Sequence, residues 1–331
     1  MQKPIVCVTE KEYYKAEEVF CNSRQFEFIP TNLSEDVLEE TIKKNKAFGA
    51  ILGVDPFVDG LYKALPKGGI IARFGVGHEG VDKNKAIENN LIVTNTPGVL
   101  DDSVAEHAIG LIYSLARQSA FHDNNMKMKK WEPCSGMELK GKTLLLIGCG
   151  AIGCKVAKIA SFGFGMNVIG FDVATRDAEK MKTEFGISEM IASLDDAVPN
   201  ADFISIHIPS IPVTKHFVNK IFLSKMNQNA YLINTARGPV VKEIDLYDAL
   251  EKKQIAGAAL DVFENEPFQP VEPNKDLRTL KNVILTPHVG SSTQEACRRM
   301  AHSCVKNIKA AYEKRYNEVD MVNPQVLEKL K

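Results

Sequence analysis

Several patterns that would place this chain in a specialised class are missing from its sequence. Its seven cysteines are scattered, at positions 7, 21, 134, 149, 154, 297 and 304, and none forms the Cys-x-x-Cys spacing of a zinc or redox site. Several lie in apolar runs, where a free cysteine behaves as a small hydrophobic residue. We therefore expect no metal site and a reduced, intracellular compartment.

The sequence also lacks a dominant charge and a long apolar run. Its 41 basic and 42 acidic side chains give a formal net charge of -1, which provides no bulk attraction to nucleic acid or to an anionic membrane. No apolar stretch is long enough to span a bilayer, and the first residues lack the apolar core and cleavage site of a signal peptide. Internal repeats and low-complexity segments are absent too. These absences predict a cytoplasmic protein that acts on neither nucleic acid nor membranes.

What the sequence does contain is an alternation of short apolar runs with helical segments. The length of 331 residues favours two domains. Strands are predicted in the first hundred residues at PIVCVT, FEFIPT, AFGAILG, GGIIARFGVG and LIVTNTP, with amphipathic helices over 34–46 and 82–89. After Gly141 further strands are predicted at KTLLLIG, MNVIGFD, DFISIHIP, AYLINTARG, AGAALDVF and NVILTPH, most of them separated by helices of about a dozen residues. This alternation predicts an α/β protein with doubly wound parallel sheets.

Three other segments have distinct characters. The stretch 101–118 is apolar on more than one face, which predicts a helix buried between domains or between subunits. The stretch 122–133 is polar and basic, and we expect a solvated connector there. The chain closes with a long amphipathic helix that ends in a polar tail.

A glycine-rich turn interrupts the apolar stretch LLLIGCGAIGCKVA. A dinucleotide-binding loop must turn tightly out of a strand, approach a pyrophosphate and let the next helix pack on the sheet. Gly148, Gly150 and Gly153 stand where a Cβ would obstruct these three steps. The alternative is an ordinary tight turn. The strand before it and the helix after it favour the dinucleotide loop, whose helix-start amides would face the phosphates.

An acidic residue ends the next predicted strand. Asp172 follows the loop by about twenty residues, the spacing typical of the acid that holds the adenosine ribose. Its charge would repel the 2′-phosphate of NADP, so the sequence favours NAD. Arg176 is a counter-indication, because a guanidinium nearby could accept that phosphate. Ala151 and Ile152, at the helix start, complete the cofactor contacts predicted on this side.

Three later strand ends carry charged groups. Hydride transfer between an alcohol and NAD needs a group that gives or takes the hydroxyl proton, and histidine titrates near neutrality. A carboxylate beside a histidine favours its protonated form, and an arginine can hold a substrate carboxylate with two hydrogen bonds. Singly, these residues could be a turn histidine, a loop acid and a structural arginine, but their joint occurrence after a dinucleotide loop favours a catalytic set. They are Arg237 in INTARGPVV, Asp261, Glu264 and Glu266 in ALDVFENEP, and His288 in ILTPHVGSST.

These segments resemble the D-isomer-specific 2-hydroxyacid dehydrogenase family over essentially the whole chain. Within it, ELKGKTLLLIGCGAIG, SLARQ and STQEA are most similar to D-3-phosphoglycerate dehydrogenases. The resemblance is to a short form, so we expect no C-terminal regulatory domain. The resemblance implies an NAD-dependent oxidoreductase that interconverts a 2-keto acid and a D-2-hydroxy acid. The first choice is phosphohydroxypyruvate and 3-phosphoglycerate, in serine biosynthesis, and the second is hydroxypyruvate or glyoxylate. The alternative outside the enzymes is a non-catalytic, NAD-sensing scaffold like a corepressor.

The resemblance also implies roles for single residues. His288 would be the acid/base, Glu266 its partner and Arg237 the substrate anchor, while Asp261 would face the nicotinamide carboxamide. The remaining cofactor contacts would be His207, Ile208 and Pro209, as a wall of the adenine pocket, with Thr235 and Ala236.

The family's substrate loop corresponds to RFGVGHEGVD. Backbone amides around Val76 and Gly77 would receive the substrate carboxylate, and Arg73 matches a phosphate-contacting arginine of the phosphoglycerate enzymes. His78 departs from the pattern, since a hydrophobic or aromatic residue is usual there. It would either contact a polar substrate tail or cap the loop.

The fold implied by the resemblance has two Rossmann/flavodoxin-like doubly wound domains with the active-site cleft between them. Residues 1–100 and 290–331 would form a discontinuous substrate domain, and residues 101–289 the NAD-binding domain. The helix at 101–118 would take part in a dimer contact, so a homodimer is expected.

Overall fold

The computed structural model describes residues 3–330. Its strands are β1 (Ile5–Thr9), β2 (Glu27–Thr31), β3 (Gly49–Leu52), β4 (Ile70–Arg73), β5 (Ile92–Thr94), β6 (Thr143–Ile147), β7 (Asn167–Phe171), β8 (Ile187–Ile191), β9 (Phe203–Ile206), β10 (Tyr231–Asn234), β11 (Gly257–Leu260) and β12 (Val283–Leu285). Its α-helices are α1 (Glu10–Lys15), α2 (Glu17–Cys21), α3 (Glu35–Asn45), α4 (Gly60–Ala64), α5 (Lys83–Glu88), α6 (Asp101–Arg117), α7 (Ser119–Lys127), α8 (Ala151–Lys158), α9 (Ala178–Phe185), α10 (Ala197–Asn200), α11 (Lys220–Lys225), α12 (Glu243–Glu251), α13 (Gln294–Tyr312) and α14 (Leu327–Leu330). A π-helical turn at Ile159–Gly163 extends α8, and short 3-10 turns lie at Gly238–Val240, Leu277–Thr279, Tyr316–Glu318 and Pro324–Val326.

Internal contacts divide the chain into two compact units, Met1–Leu100 with Ser291–Lys331 and Asp101–Gly290. The first unit contains a parallel five-stranded sheet in the order β2-β1-β3-β4-β5. Parallel neighbours require crossover connections, and α3, α4 and α5 supply the crossovers from β2 to β5. The strand order reverses beside β1, as in the flavodoxin-like doubly wound arrangement.

The second unit contains a parallel seven-stranded sheet in the order β12-β11-β10-β9-β6-β7-β8. The chain begins this sheet at β6, builds outward to β8 and then returns to the other side of β6 with β9. The order therefore reverses between β6 and β9, where Ile147 pairs with Ile206. In open α/β sheets, ligands bind outside the carboxyl ends of the strands at such a reversal.

The core lies on both faces of each sheet. The strands β3, β4, β9 and β11 are buried at every residue, and β6 is buried from Leu144 onward. Fully buried strands read as continuous apolar runs because helices cover both of their faces. The apolar runs in the sequence are therefore explained by parallel pairing, and the fold class predicted from them is confirmed.

Short polar side chains begin several of the helices. Asp82 accepts hydrogen bonds from the amides of Asn84 and Lys85 at the start of α5, and Asn219 caps α11 in the same way. Thr293 accepts from the amide of Ala296 at the start of α13. These caps satisfy amides that have no partner within the helix, which fixes where each helix starts.

Some elements differ from the sequence-based expectation. The edge strand β8 was not predicted, because its polar sequence ISEMI exposes two residues and lacks an apolar run. The helices between the later strands are shorter than expected, at four to nine residues. The segment 122–133 is not a simple connector, since α7 continues into it as far as Lys127. Among the described residues, no helix has both the length and the apolar character needed to cross a bilayer.

Candidate active site

The glycine loop joins β6 to α8 within the second unit. Gly148 has a φ of +100°, which side chains rarely adopt, and a Cβ there would lie 2.5 Å from the carbonyl oxygen of His207. A Cβ on Gly153 would overlap the carbonyl oxygen of Gly148. Two of the three predicted glycines are therefore required by close backbone packing.

The third glycine has a different surrounding. No atom lies within 4 Å of the position that a Cβ on Gly150 would take, so its lack of a side chain leaves open space above the helix start. Gly150 is also the N-cap of α8 and provides no side-chain cap. The first amides of a helix then need another acceptor, and a phosphate group supplies one. Ala151 and Ile152 follow at this surface, exposed and half-buried respectively. The loop therefore fits a dinucleotide.

Asp172 follows β7 and contacts the glycine loop directly. Its Oδ2 accepts from the amide of Cys149 at 2.9 Å and from Nη2 of Arg176 at 2.8 Å, and its Oδ1 accepts from the amide of Ala174 at 2.8 Å. Burial opposes ionisation of this carboxyl, but these hydrogen bonds outweigh it and lower the pKa of Asp172. Asp172, which favours NAD in the sequence analysis, and Arg176, which is the counter-indication there, therefore form an ion pair beside the glycine loop.

The strand end after β9 forms the other side of the loop. The imidazole Nε2 of His207 lies 2.9 Å from the hydroxyl of Ser205, and burial lowers the pKa of His207 to about 4. His207 is therefore neutral at physiological pH. Its backbone packs against Gly148, and Ile208 lies beside the same glycine. The adenine-pocket role of His207, Ile208 and Pro209 stays a prediction, and Pro209 lies at the exposed end of the segment.

The strand end after β10 carries Arg237. The side chain of Asn234 fixes this turn, because its Oδ1 accepts from the amide of Ala236 and its Nδ2 donates to the carbonyl of Arg237. Nη1 of Arg237 donates to the carbonyl of Ala236 at 2.6 Å. The hydroxyl of Thr235 is buried and has no hydrogen-bond partner in the described structure. A buried hydroxyl at this edge is a candidate contact for the cofactor.

His288 and Glu266 form a pair after β12 and β11. Nδ1 of His288 lies 2.7 Å from Oε2 of Glu266, and both side chains are partly exposed. The other oxygen of Glu266 accepts from the amide of Phe263 at 2.9 Å. Because Nδ1 contacts the carboxylate, Nε2 is the ring nitrogen available to a substrate. The predicted pairing of these two residues is therefore present in the structure.

Asp261 holds the segment that carries His288. Its carboxylate is buried and accepts from the hydroxyl of Thr286 at 2.5 Å and from the amides of Val289 and Gly290 at 2.9 and 2.8 Å. Its backbone carbonyl accepts from the amide of His288, whose φ is +53°. A residue other than glycine in this region is strained, and the bonds to Asp261 maintain the conformation.

His107 on α6 completes this network, and the sequence analysis did not identify it. Its Nε2 lies 3.1 Å from the hydroxyl of Thr286 and 3.4 Å from Oδ1 of Asp261. Burial opposes ionisation of Asp261, but the bonds from His107, Thr286 and the two amides outweigh it and lower its pKa. The nicotinamide contact expected for Asp261 stays a prediction.

A second acidic cluster lies behind Glu266; it includes Glu264, which the sequence indicated, and Glu243 and His216, which it did not. The amide of Glu243 donates to Oε1 of Glu264 at 2.8 Å, and the amide of Glu264 donates to Oε1 of Glu243. The other oxygen of Glu264 lies 2.8 Å from Nε2 of His216. Burial raises the pKa of Glu243 to about 7, and the charges of Glu264 and Glu266 add to this effect.

The predicted substrate loop belongs to the first unit and follows β4. Arg73 is buried, and its Nε donates to the carbonyl of Gly77 at 2.7 Å while Nη1 donates to the carbonyl of Leu52 at 2.9 Å. The carbonyl of Val76 accepts from Nδ2 of Asn95 at 2.8 Å. Arg73 thus supports the loop from inside the unit.

His78 lies at the far end of the same loop. Its Nδ1 is 3.4 Å from Nζ of Lys83, and its carbonyl accepts from the amide of Val81. Burial and then the charge of Lys83 lower the pKa of His78. The imidazole thus contacts the first residue of α5, and the role of His78, as a substrate contact or as a cap of the loop, stays a prediction.

The sequence matches known proteins along most of its length. Residues 109–290 match the family model described as D-isomer specific 2-hydroxyacid dehydrogenase, NAD binding domain. A glyoxylate reductase of Korarchaeum cryptofilum is 35% identical over 89% of this chain and 87% of that protein. A hydroxypyruvate reductase of Thermotoga maritima is 36% identical over 89% of this chain and 94% of that protein. A D-3-phosphoglycerate dehydrogenase of Methanocaldococcus jannaschii is 38% identical over 81% of this chain but only 50% of its own length.

Solved structures agree in fold. The D-lactate dehydrogenase from Aquifex aeolicus, complexed with NAD and lactic acid, superposes with a TM-score of 0.77 at 26% identity and covers 96% of this chain and 99% of its own. An NADPH-dependent glyoxylate/hydroxypyruvate reductase from Sinorhizobium meliloti, in complex with NADP and malonate, gives 0.78 at 29% identity over 94% of both chains.

Proposed function

Since the chain belongs to the D-isomer-specific 2-hydroxyacid dehydrogenase family, we propose that it interconverts glyoxylate or hydroxypyruvate with the corresponding 2-hydroxy acid. The chain is an NAD-dependent oxidoreductase that acts on the CH–OH group of its substrate. The observation that carries the assignment of the site is the 2.7 Å contact between His288 and Glu266 at the strand ends of the NAD-binding domain. The relatives are reductases and dehydrogenases, which favours an enzyme over a non-catalytic scaffold.

The residues of the site have complementary roles in this proposal. Bound NADH supplies the hydride for reduction of the keto group. Protonated His288 donates a proton from Nε2 to the substrate oxygen, while Glu266 orients the ring through Nδ1. Arg237 binds the substrate carboxylate and stabilises the negative charge that develops on the oxygen. Val76 and Gly77 are proposed as substrate contacts of the first unit through their backbone amides.

The cofactor side of the site follows from the glycine loop. The amides at the start of α8, from Ala151 to Gly153, would hold the pyrophosphate, and Asp172 would accept a hydrogen bond from the ribose. The buried hydroxyl of Thr235, which has no partner in the described structure, would contact the nicotinamide half. We infer that the second unit is the NAD-binding domain and that the first is the substrate domain.

The choice of an unphosphorylated substrate rests on Arg73. The phosphate preference expected from the sequence needs this guanidinium at the substrate, but its Nε and Nη1 donate to the carbonyls of Gly77 and Leu52. The proteins similar to this chain along most of its length include a glyoxylate reductase and a hydroxypyruvate reductase. Both observations favour a small keto acid.

A panel of keto acids tests this choice. NADH oxidation is followed by absorbance with glyoxylate, hydroxypyruvate and phosphohydroxypyruvate at matched concentrations. We expect kcat/KM for one of the first two to exceed that for phosphohydroxypyruvate by at least tenfold. A preference for the phosphorylated acid would reverse the substrate assignment while leaving the reaction class intact.

We also propose a cytoplasmic homodimer that uses the second unit for its contact. Large apolar side chains are exposed on α6, on α7 and the segment after it, and on the π-helical turn; they are Tyr113, Met126, Met128, Trp131 and Phe162. Trp131 is 82% exposed, which is unusual for so large an apolar side chain. Sedimentation equilibrium of the wild type and of Trp131→Glu tests the proposal. A monomer at micromolar concentration in the wild type would contradict it.

A further inference from the structure

The acidic cluster behind Glu266 contains a buried carboxyl group that the proposed mechanism does not use. Glu243 is the first residue of α12, and 5% of its surface is exposed. Carboxyl groups are rarely buried unless other groups of the protein form hydrogen bonds or ion pairs with them. The position of Glu243 therefore requires an explanation.

Its contacts are reciprocal and involve one residue. The side chain of Glu264 caps the amide of Glu243, and the side chain of Glu243 accepts from the amide of Glu264. Each carboxyl group thus fixes the backbone of the other residue. We call these two residues the reciprocal pair. It ties the start of α12 to the segment after β11 at one defined position.

The tied segment is the one that carries Glu266. Glu266 lies two residues after Glu264, and its Oε1 accepts from the amide of Phe263, immediately before Glu264. The backbone of Phe263 and Glu264 also packs directly on Gly238, where a Cβ would overlap the carbonyl of Phe263. A displacement of Glu264 would therefore move Glu266 away from His288.

His216 fixes the remaining oxygen of Glu264 from a third segment, which precedes α11. Its backbone has a φ of +55°, and its amide donates to the carbonyl of Pro239 at 2.8 Å. A non-glycine residue in this conformation is strained, and such strain persists where surrounding contacts maintain it. Three chain segments thus converge on Glu264.

We propose that Glu243 is a positioning residue for the reaction, and that it holds the catalytic carboxylate of Glu266 against His288 through its reciprocal pairing with Glu264. This proposal rests on the proposed roles of Glu266 and His288. Carboxylate positions matter at this scale because a displacement of about 1 Å in a catalytic group can cost about a hundredfold in rate.

The charges around Glu243 make the pH dependence of the reaction a second test of the proposal. The carboxylates that act on it are Glu264 and Glu266, both from the segment after β11. On its own element, Asp245 pairs with Lys242 at 3.2 Å, and Asp245 also accepts from the amide of Lys220 at the start of α11. Glu243 is protonated below about pH 7 and adds a negative charge near Glu266 above it.

The test compares Glu243→Ala, Glu243→Gln and the matched control Glu251→Gln, which lies at the exposed end of the same helix. Glu243→Ala removes the acceptor for the Glu264 amide, and we expect kcat to fall at least tenfold with the Kd for NADH within twofold of wild type. Glu243→Gln keeps an acceptor oxygen, so we expect at least half of the wild-type kcat at pH 6. Glu251→Gln is expected to behave as wild type.

The pH profile separates positioning from a general loss of structure. Glu243→Gln cannot ionise, so above pH 7 it lacks the negative charge that wild type places near the catalytic pair. The alkaline limb of keto-acid reduction reports loss of the catalytic proton, and we expect it at lower pH in Glu243→Gln. If Glu243→Ala does not fold, Glu264→Ala provides the same comparison from the other side of the reciprocal pair.

The outcomes are distinct for the two proposals. A wild-type kcat in Glu243→Ala, together with an unshifted profile in Glu243→Gln, would overturn the positioning role while leaving the site intact. A wild-type rate in His288→Ala would instead remove the site on which both proposals depend.

Discussion

His288 is the residue whose loss has the most direct expected consequence. His288→Ala removes the proton donor but leaves the glycine loop and Asp172 unchanged, so we expect kcat to fall by about a hundredfold or more, the typical contribution of general acid–base catalysis. The Kd for NADH, measured by fluorescence titration, is expected to stay within threefold. His302→Ala, at an exposed position on α13, is the matched control. Near-normal turnover of His288→Ala would exclude the imidazole from the reaction.

Asp172 determines the expected choice between NADH and NADPH. Its carboxylate accepts from Arg176 and from the amide of Cys149, so Asp172→Ala removes a negative charge and releases the guanidinium next to the ribose position. We expect the ratio of kcat/KM for NADH to that for NADPH to fall at least tenfold. Arg176 could then contact the 2′-phosphate that Asp172 repels in the wild type.

The matched experiment for this pair is Arg176→Ala, which should keep or strengthen the NADH preference because Asp172 remains charged. Asp195→Ala, which removes an exposed carboxylate paired with Lys225, controls for the loss of a surface charge. An unchanged cofactor ratio in Asp172→Ala would refute the ribose assignment.

Among single residues, the sequence predicted those whose type and spacing within a short motif indicate a chemical role. The glycines, Asp172, Glu266 and His288 belong to local motifs, and the structure brings Glu266 and His288 into contact. Residues that act by fixing another residue's backbone carry no such local pattern. Glu243 is the first residue of α12 and comes shortly after the 3-10 turn at Gly238–Val240. It lies close to Glu264 only because distant parts of the chain pack together.

Arg73 illustrates the opposite problem. Its position in the substrate loop predicts a phosphate contact, which stays a prediction, while its Nε and Nη1 donate to the main-chain carbonyls of Gly77 and Leu52. Nothing in the local sequence distinguishes an arginine that points outward from one that supports its own loop.

The βα junction between β6 and α8 leaves no room for a side chain at Gly153. A Cβ on Gly153 would overlap the carbonyl oxygen of Gly148, and backbone atoms cannot move aside without disturbing the loop. Gly153→Ala is expected to raise the Kd for NADH at least tenfold, measured by fluorescence titration. Gly110→Ala on α6 is the matched control, since no atom lies within 4 Å of its Cβ position. Equal affinities in the two variants would show that the junction accommodates the methyl group.

Elements were predictable from the sequence where burial is uniform and not where it is mixed. The strands β3, β4, β9 and β11 are buried at every residue, so their apolar runs were sufficient to identify them. The edge strand β8 pairs with β7 alone and keeps only Ile187 buried. Edge strands carry polar residues on their open side, which removes the pattern on which the prediction depends.

On the scale of the whole molecule, cofactor binding and stability are linked. NADH binds the folded glycine loop and not an unfolded chain, so at 100 times Kd it should stabilise the second unit by about 2.7 kcal/mol. For a unit of this size, this corresponds to a rise in Tm of about 5–10 °C. The glycine loop belongs to the second unit and the Arg73 loop to the first. Scanning calorimetry should therefore show the rise in Tm in the unfolding transition of the second unit. At the same NADH concentration a tenfold higher Kd leaves about 1.4 kcal/mol of this stabilisation, so Gly153→Ala should lose about half of the rise or more, while Gly110→Ala retains it. If NADH raised Tm equally in both variants, the stabilisation would have to come from a surface other than the junction of β6 with α8.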